Sequence, residues 1–141
     1  MRQLEGRIEG DIFLTNCDII IDADYADILK HHKEMNNDIT LVVSLKHYNL
    51  PYGICEIENG GLLKEIKEKP EYSFLVNTGM YIINHKLLEF IPENEFYHIT
   101  HLIEKVQAMN KQVGVYPISE NSWTDTGEWS EYKKAVEKLT Y

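Results

Sequence analysis

Two aspartates occupy positions where acidic side chains commonly bind a metal ion. Asp18 ends the apolar run DIFLTNCD, which is typical of a buried strand, and Asp125 lies in the loop segment WTDTG. Mg²⁺ usually takes one or two carboxylates together with phosphate oxygens of a substrate. Two aspartates that follow distant strands could therefore share one Mg²⁺, although a turn or a helix N-cap explains each aspartate equally well.

A second pair of aspartates lies in Asp22-Ala23-Asp24. The pair resembles the DxD motif with which metal-dependent glycosyltransferases hold a nucleotide-sugar. Asp24 comes immediately before a predicted helix, and N-capping explains it more simply. A glycosyltransferase is therefore the third of three hypotheses.

A charged tripeptide, Glu68-Lys69-Pro70, follows a predicted strand. Neighbouring side chains of an extended segment point to opposite sides, so Glu68 and Lys69 do not share one face. Pro70 keeps Lys69 out of helical geometry. Lys69 could neutralise a phosphate and Glu68 could accept hydrogen bonds from hydroxyls, but for the tripeptide alone a solvated strand end is the simpler interpretation.

Two further segments combine glycine with polar groups, namely Pro51-Tyr52-Gly53 and the stretch VNTGMY that contains Asn77 and Thr78. Glycine permits the backbone to approach a ligand closely. Asn77 and Thr78 offer polar contacts within an otherwise apolar strand. A turn glycine and a bulge glycine explain each segment singly, so a binding role depends on the whole set.

The elements that must position these residues alternate between strand and helix patterns. We predict strands over residues 11–18, 39–45, 74–83 and 113–118, a hairpin with strands 53–58 and 62–67 around Asn59-Gly60-Gly61, and helices over residues 25–35, 84–90, 99–109 and 128–139. This order predicts an α/β domain with a mixed, mostly parallel sheet flanked by helices and a β-hairpin insertion. Ligands of such sheets bind beyond the carboxyl ends of the strands, where Asp18 and Asp125 lie.

Length and charge limit the function further. The 141 residues suit one domain over 1–141, and 14 basic against 23 acidic side chains give a net charge of −9, which argues against a nucleic-acid partner. No apolar run approaches a membrane span, and the charged N-terminus is unlike a signal peptide. Cys17 and Cys55 match no CxxC or disulfide spacing, and the six histidines follow no ligand spacing. We therefore expect a cytoplasmic protein with no membrane partner.

The ordered set of a strand ending in Asp, then PYG, a GG hairpin, EKP, VNTGMY and WTDTGEW resembles the sugar-1-phosphate nucleotidylyltransferases, which make nucleotide-diphospho-sugars. The resemblance covers nearly the whole chain, from about Asp11 to Leu139. VNTGMY and the segment IPEN are most similar to the mannose-1-phosphate guanylyltransferase-like branch. The resemblance implies a Rossmann-like fold and attack of a sugar 1-phosphate on the α-phosphorus of a nucleoside triphosphate, with release of pyrophosphate.

The resemblance also assigns roles to the candidate residues. It implies that Asp18 and Asp125 hold the catalytic Mg²⁺ and that Lys69 faces the phosphate of the sugar 1-phosphate. It implies a sugar-binding role for the remaining candidates, which are Tyr52, Gly53, Glu68, Asn77 and Thr78. The nucleophile is already an anion, so no general base is needed, and Mg²⁺ and Lys69 reduce the repulsion between two anionic substrates.

One part of the family pattern is not found. The Gly-rich loop, roughly G-x-G-x-R-x-x-P-x-T-x-x-x-P-K, which cradles the triphosphate, has no counterpart in this sequence. We therefore expect an incomplete Rossmann-like domain that keeps the C-terminal, sugar-phosphate-binding portion and is weakly active or inactive alone. The alternative is a non-catalytic sugar-phosphate-binding or assembly module. An apolar strand edge left near residues 12–15 predicts self-association into a homo-oligomer.

Overall fold

The computed structural model describes residues 1–127 and Val136. Its strands, in chain order, are β1 (Asp11–Thr15), β2 (Ile19–Ile21), β3 (Ile39–Asn49), β4 (Ile54–Ile57), β5 (Leu63–Lys67), β6 (Glu71–Asn84), β7 (Val113–Ile118) and β8 (Trp123–Asp125). Its α-helices are α1 (Tyr25–Glu34) and α2 (Ile99–Ala108), and 3-10 helices span Arg2–Leu4, His85–Phe90 and Glu120–Ser122. The helix predicted over 128–139 lies outside the described residues except for Val136, which is helical.

The main sheet has the strand order β1-β6-β3-β7. Strand β6 runs antiparallel to both β1 and β3, whereas β3 and β7 are parallel. The predicted class, an α/β fold with a mixed sheet flanked by helices, is confirmed. The expectation of mostly parallel pairing is wrong for these strands, because the chain returns from the hairpin antiparallel to β3 and the long strand β6 then also pairs with β1.

Helices cover both faces of this sheet. Helix α2 places Leu102 and Val106, both fully buried, against one face, where the 3-10 helix His85–Phe90 also packs. Helix α1 places Ile28 against the other face. Side chains alternate between the two faces along a strand, so the neighbours Ile82 and Ile83 belong to opposite clusters. Burial of these apolar side chains on both sides fixes the register of the sheet.

The predicted hairpin is present as β4 and β5, which pair antiparallel. Gly60 and Gly61 have φ values of +88° and +81°, and the Glu58 amide donates to the Leu62 carbonyl at 2.9 Å across the turn. Only glycine adopts such angles without strain, so the two glycines determine where the hairpin turns.

A short two-stranded ribbon, β2 paired antiparallel with β8, was not predicted from the sequence. Each strand has three residues, and β2 is the run Ile19-Ile20-Ile21. β-Branched residues favour strands, but three residues are too few to give a periodic pattern. The ribbon brings the segment after β1 together with the segment after β7.

No helix within residues 1–127 is long and apolar enough to cross a membrane. Cys17 and Cys55 are both free and exposed, in agreement with the absence of a disulfide spacing in the sequence.

Candidate active site

The β2–β8 ribbon brings the two predicted metal ligands together. Asp125, the last residue of β8, lies opposite Ile19, which follows Asp18 directly. The Asp18 side chain is exposed and the Asp125 side chain is half-buried. The two aspartates are distant in sequence, so their proximity depends on this antiparallel register.

Gly127 lies between the two carboxylates. A Cβ built on Gly127 would lie 3.1 Å from Asp125 Oδ1 and 3.2 Å from Asp18 Oδ2, so both oxygens face the space that a larger side chain would fill. The Gly127 amide also donates to Asp125 Oδ1 at 2.9 Å and thereby orients that carboxylate. Two carboxylate oxygens around an open position suit a hard divalent cation.

Among the described residues, a metal ion between Asp18 and Asp125 would find only these two carboxylates as ligands. No group of three or more His, Cys, Asp or Glu side chains among the described residues is arranged to hold a metal ion. Asp18 and Asp125 would therefore supply two ligands, and the remaining positions would fall to water and substrate oxygens. Mg²⁺ at phosphate-transfer sites is commonly held in this way.

A backbone hydrogen bond and a close side-chain contact between Asn16 and Gly79, together called the Asn16–Gly79 lock, hold the segment that leads to Asp18. The backbone amide of Asn16 donates to the Gly79 carbonyl at 3.0 Å. A Cβ on Gly79 would lie 2.6 Å from Asn16 Nδ2, in the side chain. Gly79 has a φ of +86° and lies at a bulge, where Val42 faces Met80 and the next residue, Val43, faces Asn77. The predicted bulge glycine is thus present, and it positions the loop that carries Asp18.

Thr78 is unpaired in this bulge together with Gly79, and Asn77, which pairs with Val43, borders it. Asn77 Oδ1 accepts from the Gly79 amide at 3.1 Å, and Asn77 Nδ2 donates to the Tyr81 hydroxyl at 2.7 Å. Thr78 is 2% exposed, and its hydroxyl donates to the Val42 carbonyl at 2.8 Å. Both side chains therefore have structural partners, and the sugar-binding role implied for them stays a prediction.

Gly53 and Glu68 lie together at the base of the hairpin. A Cβ on Gly53 would lie 2.8 Å from Glu68 Oε2, so the carboxylate rests directly on the glycine backbone. Tyr52, beside Gly53, is 77% exposed. The structure thus joins two of the five residues for which the resemblance implied sugar contacts.

Lys69 differs from the sequence expectation. It has a φ of +44° and lies in a bend with Glu68, so the two side chains do not alternate along an extended segment as expected. The bend arises because β5 ends at Lys67 and the chain must turn into β6. Lys69 is exposed and forms no hydrogen bond or ion pair with the described residues, which leaves its ammonium group available to an anion.

Lys46 is a cationic residue beside Trp123, the first residue of β8, and it was not singled out from the sequence. Its ammonium lies 5.1 Å from the centroid of the Trp123 ring and 3.3 Å from Glu120 Oε1. Lys46 is on the same face of β3 as Val42, which packs with α1. Counting alternate positions along β3 from Val42 would have placed Lys46 on the face of the sheet that carries β8.

The DxD pair does not form a comparable site. Asp24 caps α1, with its Oδ1 accepting from the Ala26 amide at 2.8 Å and from the Asp27 amide at 3.4 Å. The N-cap interpretation is confirmed, and it uses the carboxylate that a DxD metal site would need.

A buried polar cluster lies at the opposite end of the sheet, where β1 and β3 begin. His32 is 2% exposed; its Nδ1 lies 2.8 Å from Thr40 Oγ1, and its Nε2 lies 3.4 Å from Asp11 Oδ1. Burial lowers the pKa of His32 below its usual value, although the Asp11 carboxylate opposes this effect. The cluster therefore contributes to packing rather than to the site around Asp18.

Fold and site together define a mixed α/β domain with two neighbouring carboxylates, Asp18 and Asp125, beside the strand ends of its sheet. The family model described as "Nucleotidyl transferase" matches residues 4–141. The chain belongs to the nucleotidyl transferase family.

Three known proteins illustrate the similarity. The chain is 33% identical over 121 residues to the UTP–glucose-1-phosphate uridylyltransferase AglF of Haloferax volcanii, covering 83% of this chain and 44% of AglF. It is 32% identical over 120 residues to the mannose-1-phosphate guanylyltransferase catalytic subunit beta of Dictyostelium discoideum, covering 82% and 33%. HddC from Yersinia pseudotuberculosis has the same fold, with a TM-score of 0.67 at 20% identity, over 99% of this chain and 60% of HddC.

The chain spans about a third of the length of most of the curated relatives that it matches, with values from 30% to 44%.

Proposed function

We propose that this chain forms the sugar-phosphate side of the active site of a sugar 1-phosphate nucleotidyltransferase. The reaction joins a sugar 1-phosphate to the α-phosphorus of a nucleoside triphosphate and releases pyrophosphate. The observation that supports it best is the convergence of Asp18 and Asp125 around Gly127. The proposal also agrees with membership of the family.

Asp18 and Asp125 would hold Mg²⁺ in this proposal. The bound ion would offset charge on the phosphate oxygens during the transfer. The Gly127 amide keeps Asp125 Oδ1 turned toward the site, so part of the geometry exists before a ligand binds. Such preorganisation avoids rearrangement at the moment of reaction.

The sugar 1-phosphate would bind between the ribbon and the hairpin base. Glu68 would accept hydrogen bonds from sugar hydroxyls, Gly53 would offer its backbone, and exposed Tyr52 would flank the sugar. Lys69 would pair with the phosphate, an assignment supported by its exposed side chain without a described ion-pair partner. Asn77 and Thr78 would shape the pocket through the bulge rather than through free polar groups.

The branch and the partners are part of the same proposal. The segments VNTGMY and IPEN favour the mannose-1-phosphate guanylyltransferase-like branch, and one relative of that name matches 82% of this chain. The partners would be a sugar 1-phosphate and a nucleoside triphosphate or nucleotide-sugar, in the cytoplasm. Because the sequence contains no Gly-rich triphosphate loop, we propose weak or no turnover by this chain alone.

Self-association is proposed from the edge of the main sheet. Strand β1 pairs with β6 on one side, and no described strand pairs with its other side. Phe13 on this strand is 36% exposed. An open strand edge can pair with a second copy, so light scattering at high protein concentration should detect an oligomer; a monomer would contradict the proposal.

The function is tested by pyrophosphate release from this chain with Mg²⁺, mixed nucleoside triphosphates and mixed hexose 1-phosphates. Titration calorimetry with Mg²⁺ and a nucleotide-sugar accompanies it, with D18N/D125N as the control. Binding that is lost in D18N/D125N supports the proposed site. Metal-independent binding favours the non-catalytic module, and pyrophosphate release above background contradicts the proposed dependence on a Gly-rich loop.

A further inference from the structure

Thr126 makes two hydrogen bonds to one acceptor. Its backbone amide donates to the Asp18 carbonyl at 2.8 Å, and its hydroxyl donates to the same oxygen at 2.9 Å. A carbonyl oxygen has two lone pairs, so Thr126 satisfies this one fully. The side chain between Asp125 and Gly127 therefore holds the backbone of the other aspartate.

The carboxylate of Asp18 has no comparable support. Asp125 accepts the Gly127 amide, whereas no described residue donates a hydrogen bond to the Asp18 side chain. Asp18 is also exposed, as is its neighbour Cys17. Among the described contacts, the place from which the Asp18 carboxylate projects is thus fixed through its backbone alone.

That backbone is held at two positions. Before Asp18, the Asn16 amide donates to Gly79, and at Asp18 itself both donors come from Thr126. Replacement of the hydroxyl would remove one of the two bonds at the metal-ligand position and leave the amide bond in place.

We propose that Thr126 is a positioning residue, whose hydroxyl holds the Asp18 backbone so that its carboxylate faces that of Asp125 across Gly127. The inference rests on the proposed metal role of Asp18 and Asp125. It assigns a task to the residue between the aspartate and the glycine of WTDTG, which the resemblance left without a role.

The test compares T126V, which removes the hydroxyl and keeps the shape and the backbone amide, with T126S, which keeps the hydroxyl. T124V is the matched control, because Thr124 lies on β8 close to Thr126 and its hydroxyl makes no hydrogen bond to a described residue. Mn²⁺ alone is titrated into each protein by electron paramagnetic resonance, with D18N as the reference for loss of the site. Hydrogen–deuterium exchange of residues 16–19 is measured without metal.

We expect T126V to weaken Mn²⁺ binding about fivefold, the effect of one hydrogen bond of ordinary strength, and to speed exchange at residues 16–19. T126S and T124V should match the wild type in both measurements. This pattern separates the hydroxyl from the shape of the side chain and from general damage to β8.

Two results overturn the inference while leaving the metal site intact. In one, T126V binds Mn²⁺ and exchanges as T124V does; in the other, T126S is as impaired as T126V. A wild-type chain that binds Mn²⁺ no better than D18N contradicts the proposed metal site instead, and the positioning role falls with it.

Discussion

Asp18 and Asp125 approach each other across a single glycine, with one carboxylate oxygen of each within 3.2 Å of the position that a Gly127 Cβ would take. Neither strand of the ribbon exceeds three residues, so the approach depends on the β2–β8 pairing together with the contacts that follow it. The bond from the Thr126 amide to the Asp18 carbonyl extends that pairing past Asp125.

Replacement of either aspartate by asparagine should remove a metal ligand while keeping its shape. In an active enzyme that contains this domain, D18N and D125N should each lower turnover about tenfold or more, because the charge on Mg²⁺ no longer has its carboxylate partners. Pyrophosphate release measures the effect. D22N, an exposed aspartate outside the site, is the matched control, and unchanged turnover in both D18N and D125N would contradict the metal assignment.

The sequence predicted correctly those elements that a few neighbouring residues determine. Gly60 and Gly61 indicated the hairpin because positive φ angles are nearly specific to glycine, and Asp24 indicated the start of α1 because a capping carboxylate satisfies free helix amides. Asp18 and Asp125, the proposed metal ligands, were selected from their positions after strands, and the structure brings them together. The remaining candidates were singled out as weak signals, and the resemblance assigned their roles; of these, Gly53 and Glu68 lie close together.

What the sequence did not predict depends on distant pairing. Ile19, Ile20 and Ile21 form a strand only because Trp123, Thr124 and Asp125 lie opposite them. The direction of β6 relative to its neighbours likewise follows from its pairing with β1, which no local period encodes. The hydrogen bond of the Thr126 hydroxyl was not predicted either, because its acceptor, the Asp18 carbonyl, is far away in sequence.

Gly53→Ala tests the contact at the hairpin base. The added methyl would lie 2.8 Å from Glu68 Oε2, and the flexible Glu68 side chain should rotate away at little cost in stability. We expect weaker binding of mannose 1-phosphate or glucose 1-phosphate, measured by calorimetry, with the unfolding midpoint nearly unchanged.

The variants E68Q and G53A/E68Q complete this experiment as a double-mutant cycle. If Gly53 acts by leaving room for the Glu68 carboxylate, the two effects on sugar-phosphate binding should not add. Fully additive losses would mean that the two positions act separately.

Gly79→Ala should destabilise the fold. The new methyl would lie 2.6 Å from Asn16 Nδ2, and the backbone there has a φ of +86°. Strain of this kind costs about 1–3 kcal/mol, measured by urea unfolding. Gly61→Ala is the control, since it has a similar φ of +81° but no atom within 4 Å of its Cβ. Equal losses in the two variants would contradict the Asn16–Gly79 lock.

His32 should make stability depend on pH. Burial lowers the pKa of His32 in the folded chain below the ordinary 6.5, so the unfolded chain takes up a proton at a higher pH than the folded chain does. The stabilising contribution of the neutral ring is therefore present above pH 6.5 and is lost as the pH falls from there through the folded-state pKa. One such group gives a slope of at most about 1.4 kcal/mol per pH unit.

Urea unfolding of the wild type at about pH 7.5, 6.5 and 5.5 measures this loss. The free energy of unfolding should fall by at most about 1.4 kcal/mol per pH unit. H32Q should flatten the pH dependence, because the variant cannot take up the proton at this position. H31Q, at the next position of α1, should keep the wild-type slope, since its ring lies half-buried outside the Asp11–Thr40 cluster. If H32Q loses stability with falling pH as steeply as the wild type, the acid sensitivity arises elsewhere in the chain.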